Sequence, residues 1–285
     1  MDTVDEIASH MVEPRSTGEV RIQQGSYLLE LSLDWNVLRA SENIHHLLGE
    51  SHVTLIDEPI GKFVHAQALH DLRNLFSRLS GTTGIGRAYA VRLTDDPDLV
   101  DIAFQQVDGR VILEAVLSTG CFGECFGSVG GLIAGLASSS GQSLLDGAAR
   151  RMRALTGYDR VTLNCGERRA ESSRGAFGGP VDPADLPIFV ADTAIESVGL
   201  FPHENEDSSA HAALLRSPEE ADRRELNGRG IRAMLRIPFS AGGQTCEFCC
   251  ESRSAREPSF ELHAAAELFA QMFAMQLAID EAANR

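Results

Sequence analysis

Apolar and polar positions alternate from Ile22 to Leu33 (IQQGSYLLELSL), the period of a half-buried strand. The period then changes. SENIHHLLGE brings Ile44, Leu47 and Leu48 onto one helical face, with Ser41 as cap and Gly49 as stop. AQALHDLRNLFSRL spaces Leu69, Leu72, Leu75, Phe76 and Leu79 for a longer amphipathic helix. Alternation returns in GRAYAVRL, VDIAFQQV and RVILEAVL, and Asp108-Gly109 between the last two marks a two-residue hairpin turn. Strand, helices and an antiparallel meander, in that order, predict a small α+β domain over residues 20–119 behind an N-terminal segment 1–19.

TGCFGECFGSVGG is rich in glycine and reads as a linker over 120–129. A second domain, 130–285, opens with one helix across GLIAGLASSSGQSLLDGAARRMRAL, closed by Gly157, and continues into strand DRVTLNC. From Gly166 to about Glu225 the pattern weakens. IRAMLRIPFS and QTCEFCCES then form a closing hairpin around a Gly-Gly turn, and a long helix runs from Ser259. Its stripe of Leu268, Phe269, Met272, Phe273, Met275 and Ile279 is wider than one domain needs to cover itself, which predicts a homodimer through this helix.

Composition narrows the function. The formal charge of −16 rests on 41 acids against 25 bases, all arginine but Lys62, so nucleic-acid phosphates are excluded as partners. No run of about 18 consecutive apolar residues predicts a membrane span, and the acidic N-terminus is not a secretory signal, so the expectation is a cytoplasmic protein. In that compartment the 6 cysteines read as buried thiols rather than a disulfide framework. Cys246 and Cys249 have C-x-x-C spacing, but strand alternation points Cys246, Phe248 and Cys250 one way and Cys249 the other, so no metal site is expected. No nucleophile with a base, paired carboxylates or phosphate loop stands out, and an enzyme is not expected.

Five stretches change the picture. IQQGSYLLELSLDWNVLRASENIHHLLGE, LTGYDRVTL, PADLP, VADTAIESVGLFP and LLRSPEEADRRELNGRGIRAMLRIPF resemble, in order and spacing, the landmark segments of bacteriophytochromes, from about residue 20 to 283. The resemblance implies an α+β photosensory module, a PAS domain followed by a GAF domain, each an antiparallel sheet flanked by helices. It also implies a bilin such as biliverdin inside the GAF domain.

The site residues follow from the resemblance position by position. Asp185, Leu186 and Pro187 match a motif whose backbone faces the pyrrole nitrogens, and Arg216, followed by Ser217, matches an arginine that grips a propionate. Other positions depart from the pattern. The family joins its bilin to a Cys upstream of the PAS domain, and no Cys here precedes Cys121. Relatives that attach through the GAF domain use a Cys in the segment matching SPEEADRREL, which has none. A pocket His aligns with Asp222, a pocket Tyr with Asn164, and a second His falls near Glu251 and Ser252. Between Pro187 and Val190 roughly a dozen residues carrying a helix and a second propionate Arg are missing, judged against typical connection lengths.

The expectation is a phytochrome-like sensory and signal-transduction protein with a degenerate pocket, holding a bilin without a covalent bond if it holds one. Two rivals stand beside it. One is a chromophore-free module for dimerisation or for binding a signalling partner. The other is a haem- or bilin-handling enzyme or carrier, for which His203, His211 and Cys165 are the nearest candidate ligands.

Overall fold

A computed structural model gives the fold and describes residues 19–79, 84–119, 123–179, 186–203 and 209–283. The N-terminal half contains β1 (Ile22–Gln23), β2 (Ser26–Ser32) and β3 (Val37–Ser41), then α1 (His45–Leu48), α2 (His52–Leu55) and α3 (Ala66–Leu79). It closes with β4 (Gly86–Val91), β5 (Val100–Val107) and β6 (Arg110–Leu117). The C-terminal half runs α4 (Glu124–Ala134), α5 (Gly141–Thr156), β7 (Arg160–Cys165), β8 (Arg168–Ser173), β9 (Phe189–Val190), β10 (Ser197–Val198) and β11 (Leu200–Phe201). It ends with α6 (Glu220–Gly228), β12 (Ala233–Ala241), β13 (Gln244–Ser252) and α7 (Phe260–Ala283).

All strand pairs are antiparallel. A six-stranded sheet has the order β11-β3-β2-β6-β5-β4, and a five-stranded sheet the order β8-β7-β13-β12-β9. Alternation sorts the first sheet's residues. Leu29, Leu31, Ile102, Phe104 and Leu113 point to one face, where α1–α3 close a core with Trp35 and Leu72. Leu28, Glu30, Ile112 and Glu114 take the other face, which looks toward the C-terminal half. On the second sheet, Val161, Leu163, Leu235, Phe248 and Cys250 join Phe260, Phe269 and Phe273 of α7 and Leu144 and Met152 of α5.

The halves interlock. β11 lies in the second half by sequence, yet it pairs with β3, with Leu200 opposite Ser41 and Phe201 opposite Ala40. β1 in turn pairs with β10. Residues 21–24 run between two limbs of one segment: Gln24 N–H donates to Glu196 O on one side, while Gln23 N–H donates to Leu215 O and Ser217 N–H to Arg21 O on the other.

Several local expectations are corrected. Ser41 does not cap α1: it ends β3, and its Oγ accepts from Leu28 N–H, while Gly49 does stop the helix with φ 73°. The single helix expected near residues 131–155 is two. α4 already begins at Glu124, inside the expected linker, and α5 starts afresh where Ser140 and Ser143 form a reciprocal capping box. Cys165 and Cys246 are not free thiols but a disulfide, because strand register sets them directly opposite each other on β7 and β13 with Cα atoms 4.2 Å apart.

Candidate functional site

The face of the five-stranded sheet away from α5 and α7 collects the site. Alternation along β7 places Arg160, Thr162 and Asn164 there, and register sets them opposite Glu251, Cys249 and Glu247 of β13. α6 lies over this face through Leu226, which packs with Leu186, Val190, Ile231, Met234 and Cys249 in a small buried apolar cluster. Leu186 and Asn164, expected at the site, therefore share a face, and Pro187 is buried beside Leu186. Asp222 sits in the first turn of α6, half-buried. Arg216 and Ser217 lie on the segment leading into α6, where Arg216 O accepts from Gln23 Nε2 at 3.1 Å. Asp185 lies outside the described residues.

Charge on this face is matched from within the chain. Arg160 and Glu251, each 2% exposed, form an ion pair, and Arg160 Nη1 also donates to Gly178 O at 2.6 Å. Two guanidinium groups stack on the Phe177 ring, Arg160 at 4.6 Å and Arg253 at 4.0 Å from its centroid. Arg236 Nε donates to Glu247 Oε1 at 2.8 Å, and its Nη1 to Leu186 O. At the rim Arg232 grips Asp192 through two hydrogen bonds of 2.7 Å, which hold the Asp192 carboxyl below its usual range. Burial, reinforced by Glu251 and Glu247, holds the Cys249 thiol well above its ordinary value, so it is a poor nucleophile and a poor metal ligand. Two buried polar atoms here, Arg160 Nη2 and Thr162 Oγ1, have no hydrogen-bond partner.

Sequence reasoning set Cys249 on the face opposite Cys246 and Cys250, the face Glu247 and Glu251 share, but missed Arg160 and Arg236 as partners of those glutamates. Alternation along DRVTLNC carried the signal; pairing it with CEFCCES needed the strand register. Cys246 and Cys249 face opposite sides, and among the described residues no group of His, Cys, Asp or Glu converges to hold a metal. The haem-ligand candidates scatter: Cys165 is in the disulfide, exposed His203 meets Glu19 and Glu42, and His211 lies in a turn at Ala210–Ala212.

The segment before α6 is fastened to the opposite sheet. Arg39 Nη1 donates to Pro202 O, Ser209 N–H donates to Glu30, Gln105 Nε2 donates to Ala212 O, and Leu214 and Leu215 N–H donate to Glu114. A second link joins β4 to α7: Arg87 Nη2 contacts His263 Nδ1 at 2.8 Å and Glu267 Oε2 at 2.6 Å. Burial, with Arg87 beside it, pushes His263 down to about 3, so the ring is neutral near pH 7.

Two antiparallel sheets, interlocked by strand exchange and by a strap leading into the helix over the second sheet, make up a fold similar to that of solved bacteriophytochrome chromophore-binding domains. Bacteriophytochrome RpBphP3 from R. palustris is similar, with a TM-score of 0.78 and 21% identity over 95% of this chain and 62% of that one. The separately solved chromophore-binding domain of RpBphP3 gives a TM-score of 0.74 and 23% identity over 95% of this chain and 99% of that one. The chromophore-binding domain of Stigmatella aurantiaca phytochrome P1 gives 0.75 and 21% over 93% and 99%. This chain thus spans less than two thirds of the longer RpBphP3 structure and nearly all of the isolated domains. No protein-family model and no curated protein matches the chain.

Proposed function

We propose that this chain is a phytochrome-like sensory and signal-transduction module, PAS followed by GAF, that acts in the cytoplasm through its surfaces, not as an enzyme and without a covalently attached bilin. The observation that carries the reading is the closed charge on the five-stranded sheet. A bilin brings carboxylates that need cations and rings that need an apolar slot. Here Arg160, Arg236 and Arg232 already hold Glu251, Glu247 and Asp192, and Leu226, Met234 and Cys249 fill the slot beneath α6. The described residues of this face do not fit the group.

Mixing the purified chain with biliverdin tests this directly. The absorption spectrum of the mixture should equal the sum of its parts, and denaturation should leave no colour on the chain. A shifted band lost on denaturation would mean non-covalent binding and overturn the chromophore-free reading; colour retained on a cysteine would overturn both.

The surface we assign to output is the outer face of α7. Leu268, Met275 and Ile279 are 39%, 68% and 62% exposed, and with half-buried Met272 they recur at spacings of four, three and four, the seam of a paired helix. The acids on this helix are spent within the chain: Glu267 meets Arg87, and Glu281 meets Arg168. What remains outward, Gln271 and Gln276 apart, is apolar and suits a second copy of the chain.

A further inference from the structure

Two glutamates on the inner face of the six-stranded sheet hold the same strap, and among the described residues only one of them, Glu30, has a cation. Glu30 accepts from Arg110 Nη1 at 2.5 Å and lies 3.4 Å from Arg39 Nε, besides accepting from Ser209 N–H. Glu114, on β6 and 2% exposed, is held by amides: Leu214 N–H donates to Oε2 and Leu215 N–H to Oε1, each at 2.8 Å. The strap it holds continues directly into Arg216, Ser217 and α6.

We propose that Glu114 is a proton-operated latch between the six-stranded sheet and the strap that carries Arg216 and Ser217 into α6. The geometry sets two opposing effects on one carboxyl. Two amide bonds favour the anion; complete removal from water disfavours it. Burial wins and pushes the carboxyl from its ordinary 4.5 up to about 7.

Its surroundings do not offset this. β2 presents Leu28 directly opposite, with Ser26 and Glu30 beside it, and Glu30 is committed to its arginines. β5 presents Ala103 opposite, flanked by Gln105 and by Asp101, whose Oδ1 accepts from Ala90 N–H. On β6 itself Ile112 and Val116 flank it, and Arg110 further along is held by Glu30. The strap brings Leu214 and Leu215, then Arg216. Across the nearby β4–α7 contact stand Arg87, Glu267 and Tyr89, with His263 neutral and Tyr89 pushed up to about 12. Among the described residues, burial and the two amides are the influences on Glu114, and neither His263 nor Tyr89 changes charge between pH 5.5 and 8.5.

The linkage has a definite sign. A carboxyl released with the strap into water returns toward 4.5, so the docked strap binds the proton more tightly, and protonation favours docking. As pH rises through about 7 that advantage is lost and the strap's hold weakens. Each unit between the two values is a factor of ten, which caps the change at about 300-fold; between pH 5.5 and 8.5 the ratio of docked to released strap falls about 30-fold.

Amide hydrogen exchange at Leu214 and Leu215 tests this, measured from pH 5.5 to 8.5 and corrected for the intrinsic pH dependence. Protection should fall about 30-fold between pH 5.5 and 8.5. In Glu114→Gln, whose side chain is neutral throughout, the pH step should vanish. A flat wild-type profile overturns the latch, and so does a step of the same size in Glu114→Gln. If that variant fails to fold, the wild-type profile still decides.

Discussion

The two buried charged faces of this molecule solve one problem in different ways. On the five-stranded sheet buried Glu251 and half-buried Glu247 meet guanidinium groups at contact distance, Glu251 with Arg160 and Glu247 with Arg236. On the six-stranded sheet Glu30 is matched the same way, but Glu114 is held by uncharged amides. A carboxylate paired with arginine has its counter-ion in place at contact distance, so those pairs are permanent fittings. A carboxylate held by amides alone can still exchange its proton near neutrality. The first face is closed; the second keeps one adjustable contact, at the point where the two halves meet.

The largest effect should come from opening the closed face. Arg160→Met leaves Glu251 buried without its cation and should cost about 3–5 kcal/mol, the usual penalty for breaking a buried pair, read from urea unfolding. Adding Glu251→Leu should recover most of that loss. A single variant costing under 1 kcal/mol would mean that water reaches this face and the contrast with Glu114 is false.

Next is the pH dependence of global stability. Glu114 binds its proton more tightly folded than unfolded, so its contribution is full below pH 4.5 and is lost as pH rises to about 7, on the order of 3 kcal/mol in all. His263 slopes the opposite way: its depressed value makes the fold gain stability as pH rises from 3 toward 6.5. The two oppose each other over much of the acid range, so the quantity to measure is the difference between wild type and Glu114→Gln at each pH. It should carry the Glu114 slope alone.

The outer face of α7 should be nearly silent in stability. Met275→Glu with Ile279→Glu should change unfolding free energy by no more than about 0.5 kcal/mol per exposed site while halving the mass seen by sedimentation. A wild-type chain sedimenting as a monomer at micromolar concentration would end the dimer proposal. Smallest of all is the expected effect of a zinc chelator, which should leave the melting temperature unchanged because Cys246 and Cys249 face opposite ways.

Much of this architecture is written in local pattern. α3, β5, β6 and β13 fall where period and turn signals put them, and both residues of the Asp108-Gly109 turn have positive φ. What escaped was set by distant partners. α4 is too rich in glycine to look helical and forms against α7, whose Glu261 accepts from Gly123 and Cys125 N–H. β8 (RRAESS) shows too few apolar positions to alternate visibly, since it is an edge strand with much of its surface in water. The Cys165–Cys246 bond spans 81 residues and depends on register alone. At the site, the alternation of β13 was legible; the arginines that neutralise it come from β7 and β12, and nothing local ties them to it.

The exchange of β11 into the first sheet bears on how this molecule can be divided. Sequence invites a cut near residue 119, and gene shuffling would treat what precedes it as a portable cassette. Such a fragment would lack Leu200 and Phe201, leaving the backbone groups of Ala40 and Ser41 on β3 without partners along an open border. Open borders of that kind recruit strands from neighbouring chains. The smallest inheritable unit is therefore the pair of halves together, and recombination between relatives should succeed only at points outside residues 21–217.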